Sequence, residues 1–267
     1  MNPIVLAVLS VAIIALLCAV MLVVASKVMA VPEDPLFPAV RSCLPGANCG
    51  ACGYAGCDGY AKALASGEEK RTNLCVPGGD AGAAAIAGVL GVAVEDVEEM
   101  VAAVFCGGDC TKAQDKADYE GSLTCAAAML ISGGPKACAS GCLGYGDCAN
   151  VCPVHAISIQ QGIAVVDPSV CIGCGLCQKT CPNHVIHMIP LVQKVFDRCS
   201  NPNMGKPVMD VCKAGCIGCT KCSKVCPEGA ITMEGNLAHV DSKKCTGCGT
   251  CVEACPTKCM QFTPHKD

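Results

Sequence analysis

Tryptophan is absent, and four phenylalanines with four tyrosines are all the aromatic rings in 267 residues. Rings and branched aliphatic side chains normally fill a core, so a chain this poor in rings must be organised by something besides side-chain packing. The marks of a nucleotide enzyme are also missing. No G-x-G-x-x-G occurs, "GGDAGAAAIAG" lacks both the spacing and a preceding strand, and there is no P-loop. That excludes a complete NAD-reducing active site in this chain. The histidines His155, His184, His187, His239 and His265 are scattered and form no recognisable nucleophile or metal site, which leaves surface or hairpin packing for each. No long basic run or aromatic-interleaved patch points to nucleic acid.

Charge is missing from one further stretch. Ile4 to Val24 is 21 residues without a charged side chain, long enough as a helix to cross a hydrocarbon layer of roughly 30 Å. Nothing basic precedes it, whereas Lys27 and Arg41 follow, so the positive-inside rule puts the body of the protein in the cytoplasm. A cleaved signal peptide would have a basic start and a shorter apolar stretch. The expectation is a single-pass anchor in the bilayer of the inner (cytoplasmic) membrane, with Cys18 as a small hydrophobe inside it. "PEDPLFPAV" then reads as a short extended linker. One crossing helix with no central charge forms no ion path by itself.

Cysteine, by contrast, occurs 28 times. Fifteen of these residues fall in three complete C-x2-C-x2-C-x3-C-P runs and one that lacks its second cysteine, and such spacings suit one inorganic centre better than paired disulfides. Zinc sites usually separate two C-x2-C pairs by a longer loop and do not end in proline. The chain also repeats itself at 74 positions. Cys148, Cys152, Cys171, Cys174, Cys177 and Cys181 map onto Cys222, Cys226, Cys245, Cys248, Cys251 and Cys255, while Cys125, Cys138 and Cys142 map onto Cys199, Cys212 and Cys216. Between the runs, "AISIQQGIAVVDPSVC" lies over "AITMEGNLAHVDSKKC". Each filler reads as a strand, a polar turn at 160–162 or 234–236, and a second strand.

Each copy resembles a bacterial-type ferredoxin with two [4Fe–4S] clusters. The resemblance implies that the fourth cysteine of each run serves the other run's cluster. Carried over, Cys216, Cys219, Cys222 and Cys255 hold one cluster, and Cys245, Cys248, Cys251 and Cys226 the next. In the first copy Cys171, Cys174, Cys177 and Cys152 form a complete set. The remaining run, "CLGYGDCANVCP", has Tyr145 where the repeat has Cys219. Cys142, Cys148 and Cys181 then supply three thiolates, and either Cys138 supplies the fourth or the site holds a [3Fe–4S] cluster.

Upstream, "NCGACGYAGCDGYAKALASGEEKRTNLCVPGG" sets out Cys49, Cys52, Cys57 and Cys75 around a helix expected over 59–66. Together with the apolar segment and the paired runs, this spacing resembles the B subunit of the Rnf complex, an ion-translocating ferredoxin:NAD oxidoreductase, in its longer form. The architecture expected is α+β. A transmembrane anchor (1–30) precedes a small, mostly helical four-cysteine Fe–S module (31–91). A connecting region (92–137) leads to ferredoxin-like domains at 138–190 and 191–267. "DAGAAAIAGVLGV" reads as a helix and "EEMVAAVF" as a strand or helix end. "VAAVFCGGDC" and "LVQKVFDRCS" read as related strands, each delivering a cysteine. Cys106, Cys110 and Cys125 are either ligands of one more cluster, completed by Cys138, Cys199 or Cys212, or structural thiols. Cys43 is a free thiol and Cys259 a core cysteine in this reading.

The resemblance implies five to six [4Fe–4S] clusters and an electron-input role. Soluble ferredoxin would be the donor, and the other Rnf-type subunits would reduce NAD and move Na⁺ or H⁺. The alternative is a polyferredoxin adaptor for another membrane redox enzyme, hydrogenase-like or reducing a transcription factor.

Overall fold

A computed structural model describes residues 3–28, 34–94 and 97–264. Helix α1 runs Pro3–Val28, and its side chains are described at residue 9 and over 11–26, where all are exposed. Among the described residues no helix is long and apolar enough to cross a membrane. Residues 29–33 lie outside the described part and so does His265. Helix α2 (Leu36–Ser42) occupies most of the segment expected to be an extended linker. Its Val40 packs into a small core with Leu44, Tyr60, Leu64 and Ile86, which gives those seven residues a reason to coil. Helices α3 (Cys57–Ala65) and α4 (Gly79–Leu90) complete this module, and left-handed Gly91 ends α4.

The rest of the chain is built twice from the same parts. In the first copy, β1 (Met100–Val104) is followed by α5 (Cys125–Leu130), α6 (Asp147–Asn150), β2 (Ile157–Gln160), β3 (Ile163–Val166), α7 (Leu176–Thr180) and β4 (Ile186–Pro190). In the second, β5 (Val195–Asp197) leads to α8 (Lys206–Met209), α9 (Lys221–Val225), β6 (Ile231–Glu234), β7 (Leu237–Val240), α10 (Thr250–Ala254) and β8 (Met260–Phe262). The expected hairpins are present as β2–β3 and β6–β7, both antiparallel. A second pairing closes each copy from outside: β1 with β4 and β5 with β8.

That outer pairing changes two expectations. Strand β1 lies in the stretch read as a connecting region, yet Val104 pairs with Ile186, so the outer sheet of the first copy takes one of its strands from that stretch. It also changes which cysteines correspond. Val104 opposite Ile186 matches Asp197 opposite Met260, and the next backbone bonds match too: Phe105 N–H to Val185 O, and Arg198 N–H to Cys259 O. Cys106 is therefore the structural counterpart of Cys199, and Cys125 has none. The reason is an insertion, since residues 107–137 in the first copy do the work of residues 200–211 in the second.

The N-terminal module rests against the first copy. Gly173, at φ +69°, brings its backbone so near that a Cβ there would meet Met100 O at 2.5 Å and Val76 Cγ1 at 2.8 Å. Lys179 adds a bond from its Nζ to Gly50 O at 2.9 Å.

Candidate iron–sulfur sites

In the N-terminal module a glycine-rich loop feeds Cys57 into the first turn of α3. The Cys57 N–H donates to Asn48 Oδ1 at 2.9 Å, which fixes the loop against the helix start. Tyr60, 1 % exposed, anchors the returning strand through its hydroxyl to Arg71 O at 2.7 Å. Cys75 then arrives beside the other three: burial pushes its thiol up, and Cys57, Cys52 and Cys49 add to that. All four expected residues of this site are brought together.

In the ferredoxin copies, three cavities are each lined by four cysteines. Cys152, Cys171, Cys174 and Cys177 face one of them. Cys226, Cys245, Cys248 and Cys251 face another. Both groupings interleave the runs as the resemblance implies. The third is lined by Cys142, Cys148, Cys181 and Cys125. Cys216 and Cys219 lie beside Cys222, whose thiol burial pushes up to about 11, and Cys255 belongs to the same core.

Cys125 is the residue that sequence reasoning misplaced. Cys138, one of the two ways of completing the Tyr145 site, lines a different cavity, with Cys106, Cys199 and Cys212. Cys125 opens α5, which Thr124 caps by accepting from Ala127 N–H, while the Asp147 carboxylate accepts from Cys125 N–H and Ala126 N–H at 3.0 and 2.9 Å. Tyr119 and Tyr145 stack beside it with ring centres 5.6 Å apart. The grouping of Cys106, Cys110 and Cys125 at one site does not occur either. Cys106 and Cys125 line separate cavities, and Cys110 is exposed with its N–H on Gln161 O. The signal for Cys125 was the insertion itself, which a fixed 74-residue offset conceals.

Burial dominates the electrostatics. It raises the Cys142 thiol to about 11, and Cys148 and Cys177 to about 12, with neighbouring cysteines adding to the last two. Burial also pushes Cys174 up, and Cys49 of the N-terminal module adds to it. At neutral pH these thiols keep their protons until a cation displaces them. Cys259, 2 % exposed, gives its hydrogen to Asp197 Oδ1 at 2.7 Å and packs in the second core. Cys43 bonds only within α2, to Ala39 O at 3.4 Å. The four described histidines are exposed.

The donor chemistry fits clusters better than single ions. Among the described residues no three His, Cys, Asp or Glu side chains converge closely enough for one metal ion. A zinc tetrathiolate draws its sulfurs around a point at Zn–S distances of about 2.3 Å. A cube of irons and sulfides keeps its thiolates further apart, around a cavity. Several sulfurs also accept backbone N–H groups: Cys152 from Ala156 at 3.3 Å, Cys226 from Ala230 at 3.4 Å and Cys255 from Cys259 at 3.2 Å.

Comparison with known proteins agrees with this arrangement. A family described as an Fe-S cluster domain matches residues 44–77. A 4Fe-4S dicluster domain matches 137–185 and 215–264, and a second such family matches 170–231. The chain is thus an Fe–S module followed by tandem 4Fe–4S ferredoxin-like domains. It is 44% identical over 242 residues, 90% of this chain and 85% of the relative, to the B subunit of the proton-translocating ferredoxin:NAD(+) oxidoreductase complex of Clostridium ljungdahlii. The B subunit of the Na(+)-translocating complex of Acetobacterium woodii is 41% identical over 84% of this chain and 67% of the relative. The B subunit of the ion-translocating oxidoreductase complex of Methanosarcina acetivorans is 41% identical over 84% of this chain and 85% of the relative. With relatives 41–44% identical and matched along most of their length, the chain belongs to the family of B subunits of ion-translocating ferredoxin:NAD oxidoreductase complexes.

Proposed function

We propose that this chain is the electron-input subunit of such a complex, taking electrons from reduced soluble ferredoxin and relaying them to partner subunits that reduce NAD and move the ion. The observation that carries the reading is the series of cysteine-lined cavities, four thiols to a cavity, on a scaffold with no dinucleotide motif. Five sites follow: Cys49, Cys52, Cys57 and Cys75; Cys171, Cys174, Cys177 and Cys152; Cys142, Cys148, Cys181 and Cys125; Cys216, Cys219, Cys222 and Cys255; and Cys245, Cys248, Cys251 and Cys226. Bound there, a [4Fe–4S] cluster takes up and gives back single electrons.

The residues of the chain do the rest. Thiolates hold the irons, and buried aliphatics such as Ile157, Ile186 and Ile231 keep water away. The N–H groups of Ala156, Ala230 and Cys259 favour added negative charge on the sulfurs they face, which raises the potential. Cys49 within electrostatic reach of Cys174 supports passage between the N-terminal module and the first ferredoxin unit. For an anchor, the support is the uncharged sequence from Ile4 to Val24, with Leu9, Val11, Ile13 and Leu16 left uncovered by the rest of the chain. Lys27 after the apolar stretch supports a cytoplasmic body.

The test is ferredoxin-dependent NAD reduction by membranes with and without this chain. Loss of that activity on deletion is expected, and normal activity without the chain overturns the reading. Anaerobically prepared protein should also contain equal amounts of iron and acid-labile sulfide. Zinc without sulfide would end the cluster account.

A further inference from the structure

We propose that Cys106, Cys138, Cys199 and Cys212 hold an additional [4Fe–4S] cluster, at the junction of the two ferredoxin-like units and outside both of their usual cluster pairs. The inference rests on the chain being a cluster carrier and adds a site that none of the matched dicluster patterns supplies.

The first observation is shape. These four cysteines line one cavity together, as the four-cysteine sets do within the ferredoxin units. All four are buried and free, at 8, 9, 9 and 8 % exposure.

The second is symmetry. Strand register makes Cys106 and Cys199 equivalents, and the 74-residue repeat makes Cys138 and Cys212 equivalents. Each unit therefore delivers the same pair of thiols, one after its outer strand and one before its first cysteine run. The surroundings repeat as well. Cys106 Sγ accepts from Cys142 N–H at 3.3 Å, and Cys199 accepts from the backbone of Cys216, 74 positions on. Two equivalent pairs of thiols meeting at one cavity are what a four-thiolate centre needs. Leftover thiols from a duplication have no reason to converge.

The third is charge. Lys136 lines the same cavity and is 6 % exposed, yet its Nζ reaches only carbonyls, Gly108 O and Gly162 O at 3.1 Å each, and no carboxylate pairs with it among the described residues. A buried ammonium without an anion is costly. Four thiols that lose their protons on binding a [4Fe–4S]²⁺ cluster, assembled from two ferrous ions, two ferric ions and four sulfides, leave the site at net −2, and that charge supplies the missing partner. Arg198 points one guanidinium nitrogen at Cys106 O, 3.2 Å away, on the same wall. Asn201 supplies further donors, its N–H to Cys199 Sγ at 3.4 Å and its Nδ2 to Cys138 Sγ at 3.6 Å. Gly108 lets the backbone close over the site, for a Cβ there would lie 3.0 Å from Cys212 Sγ.

Anaerobically prepared full-length chain, reconstituted with ferrous and ferric iron and sulfide, tests this directly. Cys138→Ser and Cys212→Ser, each alone, should lower iron and acid-labile sulfide by about one-sixth, or convert one four-iron magnetic signature into a three-iron one, with the other clusters kept. Iron and spectra unchanged in both variants would overturn the proposal. Should either variant misfold, an iron anomalous-scattering map of the unaltered protein decides the matter. A four-iron peak among the four sulfurs supports the site; an empty cavity, a single metal ion or a disulfide there sinks it. Five clusters without this one refute only the inference, whereas no cluster anywhere refutes the function proposed above.

Discussion

Tyr145 occupies the place where the second ferredoxin unit has Cys219, and its ring covers Cys125, which has come to the cavity from the inserted segment. A missing thiol on one side of the site is thereby offset by an extra one on the other. If Cys125 is the fourth ligand, Cys125→Ser should turn one four-iron magnetic resonance signal into a three-iron signal, with a loss of about one iron per chain. Tyr145→Cys alone should leave the spectrum as it was, because the fourth position is already taken. Adding Tyr145→Cys to the Cys125→Ser background should restore the four-iron signal. An unchanged spectrum in Cys125→Ser would return the fourth position to another residue or to none.

The short helices of the ferredoxin units show how little secondary structure these runs contain. Helices α6, α7 and α10 each start after a left-handed glycine, Gly146, Gly175 and Gly249, whereas α9 starts after Thr220 at φ +59° with no capping bond from its side chain. A β-branched residue there is strained by about 1–2 kcal/mol. Thr220→Gly should therefore raise resistance to urea, measured as loss of the cluster absorbance, by up to ~1 kcal/mol after the added chain entropy of glycine. Helix α5 depends instead on two side chains, Thr124 and Asp147. Asp147→Ala should cost about 1 kcal/mol and speed amide exchange over 125–130; unchanged exchange there would mean the carboxylate does not hold the helix. These elements also show what was legible in the sequence. The interleaved cysteine runs and the hairpins around 160–162 and 234–236 were readable because every spacing is short and the side-chain alternation is local. The β1–β4 pairing and the site of Cys125 were not, because the first spans more than eighty residues and the second sits in an insertion that a constant repeat offset cannot register.

At the scale of the whole molecule, four two-stranded sheets and helices of one or two turns make up the ferredoxin half, and an isolated hairpin is marginal in water. Apolar packing does not make up the difference. Five of the nine buried residues in the second unit's core are cysteines, and the first unit's core contains Cys106, Cys142, Cys148 and Cys177. Once iron and sulfide are gone, these thiols must sit protonated in space shaped for something larger, so cluster binding is also folding free energy. Stripping the protein anaerobically with a chelator should accordingly abolish slow amide exchange in β2–β3 and β6–β7. The core of Val40, Tyr60, Leu64 and Ile86, which has fewer thiols, should lose less protection. The same physics gives a direction with pH. Burial holds Cys142 and Cys222 at about 11, and Cys148 and Cys177 at about 12, above the ordinary thiol value, so protons compete with iron throughout the neutral range. Chelator stripping should become more complete as pH falls from about 8 to about 6, because every ligand released is trapped by a proton. Hairpins that stay equally protected with and without their clusters, at either pH, would show that side chains alone fold this chain.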